Sequence, residues 1–200
     1  MSGPCPWGLS TPDYRAYHDD EWGRPVTADD AMFERITLEA FQSGLSWLTI
    51  LRKREAFRAA FAGFEIATVA RFGDEDVERL LLDAGIVRNR AKIEATLANA
   101  KAAAELQRSG PSLAALVWGH RPRGRPRAPH SMGELPAATP ESTALAKELK
   151  RRGFRFVGPT TAYAAMQACG IVNDHLAGCP ARARVERERR EALKRMLSPA

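Results

Sequence analysis

RGFRFVGPTTAYAAMQA, residues 152–168, is the stretch on which the fold turns. Gly153 and Gly158 bracket a short hydrophobic turn, and apolar residues recur at helical spacing on both sides, over residues 142–152 and 160–169. Two helices joined by a glycine-bounded turn look like a helix-hairpin-helix, in which free backbone N–H groups at the second helix's N-terminus hold one DNA phosphate. Such a contact sets register on a duplex without reading its sequence. An ordinary helix–loop–helix corner carries the same pattern, so the DNA reading needs support from the rest of the chain. Gly153, Gly158 and Thr160 are the candidate DNA contacts.

Outward from the hairpin, helical patterns dominate and no alternating strand stands out, which predicts an all-α fold. Thr27 with Asp30 resembles a capping box, and Met32, Phe33, Ile36, Ala40 and Phe41 follow with helical period until Gly44. A second helix is predicted over 46–62, with Trp47, Ile50, Leu51, Phe57 and Phe61 on its apolar side and Arg52, Lys53 and Arg54 in its middle. Further helices are expected over 74–82 and 88–106, broken at Gly85. Residues 119–130, GHRPRGRPRAPH, read as a solvated basic loop in which His120 and His130 face water. The charged tail alternates Arg and Glu as an exposed helix does, so the chain divides into a helical domain, 1–180, and a tail, 181–200.

Composition narrows the function classes. Two hundred residues with 44% apolar content suffice for one sizeable core, and a net charge of +6 points to a polyanionic partner. With no apolar run of transmembrane length, that polyanion is expected to be nucleic acid rather than a membrane. Three cysteines, no signal peptide and no even disulfide framework fit a reducing, cytoplasmic setting, with Cys169 in the core.

Cys5, His18, His175 and Cys179 make two thiols and two imidazoles, a complete tetrahedral zinc shell with no position left open. His175 and Cys179 are four apart and share one face of a helical turn, whereas Cys5 to His18 is wider than zinc-finger spacing. A closed shell argues for a structural staple between the chain ends. A zinc hydrolase would need a coordination position open to water.

Residues 80–106 resemble the helical segment that precedes the hairpin in DNA glycosylases of the endonuclease III type. Four stretches then resemble a narrower family, the 3-methyladenine DNA glycosylases I: CPWG with YRAYHDDEWGRP, LEAFQSGLSWLTILRKREAFRAAF, DAGIVRNRAKI, and RRGFRFVGPTTAYAAMQACGIVNDHLAGC. They occur in the family's order from Cys5 to Cys179 and include all four candidate ligands. The resemblance implies a helix-hairpin-helix glycosylase fold, one structural zinc tethering the termini, and a monomer that excises 3-methyladenine from double-stranded DNA containing the methylated base. The alternative is a noncatalytic helix-hairpin-helix DNA-binding module with structural zinc.

Glu39 lies three residues after Ile36 and seven after Met32, inside the apolar stripe, where a carboxylate has either a partner or a task. The resemblance makes it the reader of the methylated base, Trp47 the stacking platform, and Tyr17, beside His18, a base-contacting phenol. Trp7, Tyr14 and Trp22 are expected in part to line the same pocket. Gln42 and Leu45, flanking Ser43 and Gly44, are expected to plug and wedge the duplex, with Leu45 exposed at a loop tip. Asn173 stands where many relatives carry a catalytic aspartate, with Asp174 beside it directed elsewhere, and Thr160 stands where bifunctional relatives carry a lysine. A monofunctional, hydrolytic glycosylase follows from those two positions.

Overall fold

Every residue from Met32 to Phe41 is buried, so the helix that carries them forms the axis of the molecule. The structure, a computed structural model, describes residues 3–124 and 127–197. Its α-helices are α1 (Pro12–Asp20), α2 (Asp29–Gln42), α3 (Trp47–Ala60), α4 (Ile66–Val69), α5 (Asp74–Leu82), α6 (Arg90–Ser109), α7 (Leu113–Gly119), α8 (Pro140–Arg151), α9 (Pro159–Ala168) and α10 (Ala181–Leu197). No strand occurs among the described residues, as the periodicity predicts, and no helix is long and apolar enough to cross a membrane.

Helix α2 packs on α3, α4, α6, α7 and α9, and its side chains Met32, Phe33, Ile36, Leu38 and Phe41 enter one hydrophobic cluster with Phe57, Phe61, Phe64, Ile93 and Met166. Burial of this kind stabilises by roughly 1.5–3 kcal/mol for each large side chain. The predicted capping box at Thr27 does not form: α2 starts at Asp29 with Ala28 as its cap. Its first-turn acids are used at longer range instead. Asp30 accepts a bond from the Ile66 N–H at the start of α4, and Asp29 accepts one from the Ala114 N–H in α7. A tertiary partner outcompeted the local cap at no cost to the helix dipole, since both carboxylates remain at the positive end.

Buried charge is concentrated where α2 meets α3. Arg54, one of three adjacent basic residues on α3, turns inward and bonds Glu34 at 2.7 Å and also Glu21, while Arg35 pairs with Glu21 and Arg58 with Glu34. Each carboxylate in this network thus has guanidinium partners, as buried ions require.

Helices α8 and α9 pack against each other across the glycine-bounded turn. Gly153 takes φ +95° and closes α8, a left-handed conformation that costs other residues about 1–2 kcal/mol. Gly158 caps α9, which opens with Pro159 at its first position. Helix α10 is present where the charged tail predicts a helix, but its inner side is covered: Val185 and Ala192 are buried. Arg189 donates to the Gly170 and Ile171 carbonyls, Arg182 to those of Asn173 and His175, and Arg184 to that of Asp19.

The basic loop is only partly solvated. Arg123 and Arg127 are exposed and Arg125 lies outside the described residues, but Pro129 is buried and its carbonyl accepts from the Ala177 N–H at 2.7 Å. His130 is exposed as expected, whereas His120 is half-buried and 3.0 Å from the Leu116 carbonyl.

Candidate active site

The first turns of the chain, α2, α3 and α9 enclose a cavity of about 300 Å³. Its walls bring together the sequence-predicted Trp7, Tyr14, Tyr17, Trp22, Glu39, Gln42 and Trp47. Met132, Leu135, Ala164 and Gln167 complete it. The last four are absent from the sequence reading. Met132 and Leu135 follow the proline-rich loop in a stretch without periodicity, and Ala164 and Gln167 face outward from a helix whose buried side alone was conspicuous.

The aromatic rings brace one another. Tyr17 and Trp47 pack against each other in the cavity wall, tilted at 46° with centroids 5.3 Å apart, and Trp7 meets Trp22 and Tyr14 edge-on at 5.0 and 5.7 Å. Tyr14 is also tied down at its polar end, where its hydroxyl accepts from the Leu48 N–H in the first turn of α3. That turn is further capped by Ser46, so Trp47, its first residue, has a fixed base. The Trp47 indole N–H is buried with no hydrogen-bond partner among the described residues.

Glu39 is 7% exposed, and no donor among the described residues bonds its carboxyl. Burial pushes its pKa up to about 8, the nearby Arg35 offsetting only part of that cost because its guanidinium is bonded to Glu21. The phenol of Tyr17 is likewise held well above its ordinary value, first by burial and then by Glu39. An unpaired acceptor and an unpaired donor thus face a cavity walled by rings. Buried polar groups without partners are uncommon in native interiors, and where they line a cavity they point to a ligand.

Behind this wall, Cys5, His18, His175 and Cys179 are all buried, and their donor atoms lie within 4.8 Å of one another. Cys179 Sγ is 3.5 Å from both His18 Nε2 and His175 Nδ1, His175 Nδ1 is 3.2 Å from His18 Nε2, and Cys5 Sγ is 3.8 Å from His175 Nδ1. The outer ring nitrogens are engaged as well. His18 Nδ1 is 2.8 Å from the Asp19 carboxylate and His175 Nε2 is 3.1 Å from the Trp22 carbonyl. Each acceptor fixes a proton on its outer nitrogen and turns a lone pair inward. Burial, then the neighbouring His18, lowers His175 to about 4, so this imidazole is neutral near pH 7.

The candidate DNA contacts lie in two separate turns, one after α2 and one between α8 and α9. After α2, Ser43, Gly44 and Leu45 are exposed, Leu45 at 41% and Gly44 at φ +81°. In the hairpin, Gly153, Gly158 and Thr160 are exposed, together with Phe156, which sequence reasoning did not single out. Asn173 is turned away from the cavity and donates to the Arg182 carbonyl and to Glu186, while Asp174 accepts from Tyr163 Oη at 2.6 Å and Gln167 Nε2 at 2.8 Å.

An all-helical scaffold with a glycine-bounded hairpin, and an aromatic cavity ending on a buried carboxyl, define the class of fold and site. The chain belongs to the methyladenine glycosylase family, whose sequence profile matches residues 7–183. It is 48% identical over 178 residues to DNA-3-methyladenine glycosylase 1 of Escherichia coli strain K12, covering 88% of this chain and 94% of that protein. The Haemophilus influenzae DNA-3-methyladenine glycosylase is 40% identical, with 90% and 98% covered. Among solved structures, a crystal structure of 3-methyladenine DNA glycosylase I superimposes with a TM-score of 0.85 at 48% identity, covering 90% of this chain and 99% of the other. A structure explaining 3-methyladenine recognition by the Staphylococcus aureus enzyme is 34% identical, with a TM-score of 0.84 and 89% and 95% covered.

Proposed function

We propose that this chain is a DNA-3-methyladenine glycosylase, a monomeric intracellular enzyme that flips 3-methyladenine out of alkylated duplex DNA and hydrolyses its glycosidic bond. The observation that carries this reading is Glu39: a buried, unpaired carboxyl in a ring-walled cavity of a methyladenine glycosylase family member.

Methylation at N3 leaves adenine cationic within its nucleoside. When the glycosidic bond breaks, its electron pair returns to the ring and the base departs neutral. Water adds to the sugar carbon and releases a proton, leaving an abasic site in an intact strand. Little acid catalysis is required, so the enzyme's work lies in extrusion and discrimination. Tyr17 and Trp47 offer π faces that attract a cationic ring, and Glu39 accepts from its amino edge, favouring the cation over neutral purines. Trp7, Tyr14 and Trp22 hold these faces in place. The Gln42–Leu45 turn fills the duplex gap, and Gly153, Gly158 and Thr160 hold a phosphate through the N-terminus of α9. Thr160 supplies no amine for Schiff-base chemistry, and Asn173 is occupied by α10, which supports a monofunctional reaction.

The cysteine–histidine cluster fits one structural zinc ion. Zinc–nitrogen bonds of about 2.0–2.1 Å and zinc–sulfur bonds of about 2.3 Å in a tetrahedron imply ligand–ligand edges of about 3.3–3.8 Å. Four of the six edges between Cys5, His18, His175 and Cys179 run from 3.2 to 3.8 Å, and the other two, Cys5 to His18 and Cys5 to Cys179, are within 4.8 Å. When bound, the ion supplies no open coordination position and acts as a staple. Because Tyr17 precedes His18 in α1, that staple would also fix the backbone beneath one face of the pocket.

Chromatography of bases released from methylated duplex DNA tests the reading. Wild type is expected to release 3-methyladenine without cutting the strand, and Glu39→Gln, folded as judged by melting, to lose about 100-fold or more. Strand cleavage coupled to release, or borohydride trapping of a covalent complex, would contradict the monofunctional assignment. DNA binding with no release would leave a noncatalytic module.

A further inference from the structure

The DAGIVRNRAKI stretch, residues 83–93, carries a lysine next to its end that the pocket does not use. Lys92 is buried on α6, where its ammonium donates to the carbonyls of Phe41 at 2.9 Å and Ser43 at 2.6 Å. Phe41 lies in the last turn of α2 and Ser43 is the residue that caps it, so the ammonium sits at the helix end whose carbonyls have no partner within the helix, and a cation suits that negative end. The turn thereby held begins the exposed segment that carries Gly44 and Leu45.

Seven residues on, two helical turns along the same face, stands Asn99, 1% exposed. Its carbonyl oxygen accepts from the Arg155 N–H at 2.7 Å and its amide donates to the Arg155 carbonyl at 3.1 Å. One side chain thus pairs both backbone groups of a single residue in the hairpin turn. Next to it, Phe156 is held at φ +55°, a conformation that costs a bulky residue free energy unless its surroundings enforce it. Apolar side chains in these sites would leave the backbone groups without these partners, and the polar anchors in addition select one backbone geometry for each turn.

We propose that Lys92 and Asn99 are positioning residues, and that α6 is a ruler fixing the duplex-entering turn after α2 at a set distance from the phosphate-binding hairpin. The inference rests on the proposed function, since both turns must engage the same duplex at once. Lys92 then governs extrusion of the damaged nucleotide, and Asn99 governs grip and register on the backbone.

The test compares wild type with Lys92→Met, Asn99→Ala and the milder Asn99→Asp, which keeps the acceptor for the Arg155 N–H. For each, the melting temperature, the affinity for free 3-methyladenine by tryptophan fluorescence, the single-turnover excision rate on methylated duplex, and the affinity for a duplex with a stable abasic-site analogue are measured. Lys92→Met is expected to lose about 100-fold in single-turnover rate, the scale of a small misplacement, while free-base affinity stays at the wild-type value. Asn99→Ala is expected to weaken duplex binding about tenfold, near the worth of one lost pair of hydrogen bonds, with Asn99→Asp between it and wild type. Parallel loss of free-base affinity and duplex excision would show a general structural role and overturn the inference, as would excision and duplex binding left unchanged. Wild type that binds free base yet releases none from duplex DNA would overturn the proposed function itself.

Discussion

Glu34 and Glu39 share one buried helix and meet opposite fates. Glu34 is met by Arg54 and Arg58, whereas Glu39 meets no donor among the described residues and is pushed up to about 8 by burial. Within the free protein its carboxyl is therefore largely neutral below that pH, and a cationic base is bound more tightly by the ionised form. Excision, followed as kcat/KM, is expected to rise with pH towards about 8 and level off above it. Glu39→Gln should flatten this profile, and a wild-type profile already flat from pH 6 to 9 would remove the carboxylate from recognition. The same group sets a stability slope. Its folded pKa exceeds the ordinary carboxylate value, so the folded state holds the proton between about 4.5 and 8 while the unfolded chain has lost it. Stability from this group is fully present below the unfolded value and is lost as pH rises through the folded one. Glu39→Gln should consequently gain on wild type in chemical denaturation from pH 5 to pH 9, by up to a few kcal/mol. Part of this was legible in the sequence, because an acid at Glu39 interrupts an apolar stripe. Glu34, which found partners from α3, could not be told from it by periodicity alone.

Helices announced themselves where local chemistry and tertiary structure agree. The helix expected over 74–82 is α5 itself, and that expected over 46–62 is α3 with Ser46 as its cap, whereas α8 begins at Pro140 behind its Thr139 cap, two residues before the expected start. The reading failed where distant partners intervened, as at Asp30, and where no period exists, as at Met132 and Leu135. Helix α10 shows a third kind of failure. Alternating Arg and Glu read as solvated because the carbonyls that receive Arg182, Arg184 and Arg189 lie outside the helix, in the turn after α9 and at the end of α1, where helical periodicity gives no sign of them. Whether residues 181–200 are a dispensable tail is decided by a chain ending at Pro180. It would lose the burial of Val185 and leave the Gly170, Ile171 and Asn173 carbonyls without their guanidinium donors. A loss of about 3 kcal/mol or more is expected from those terms, which for a chain of this size lowers the melting temperature by about 10 °C. An unchanged melting curve would make α10 an appendage rather than a brace.

The two ends of the molecule meet at one place. Val26 N–H donates to the Cys169 carbonyl, Trp118 Nε1 to the Val26 carbonyl, and Cys5 comes beside His175 across 170 positions of sequence. The identities of the four cluster residues were legible because thiols and imidazoles carry their chemistry in the side chain. Their convergence was expected from the completeness of that set and from the family resemblance, and the four donor atoms do come together. The docking of α1 and of the turn after α9 on α2 that brings them there had no local signal. Joining such distant segments removes conformational freedom from the unfolded chain, on the order of 5 kcal/mol for a covalent link of this span, and a metal link acts in the same sense. The purified protein is expected to carry one zinc per chain by elemental analysis. Removing it with a chelator, or replacing Cys179 with alanine, should lower the melting temperature by about 10 °C and weaken free 3-methyladenine binding through the Tyr17–His18 backbone. Zinc returned to the chelated wild type should restore both. A metal-free protein that melts and binds base as the loaded one does would refute the staple.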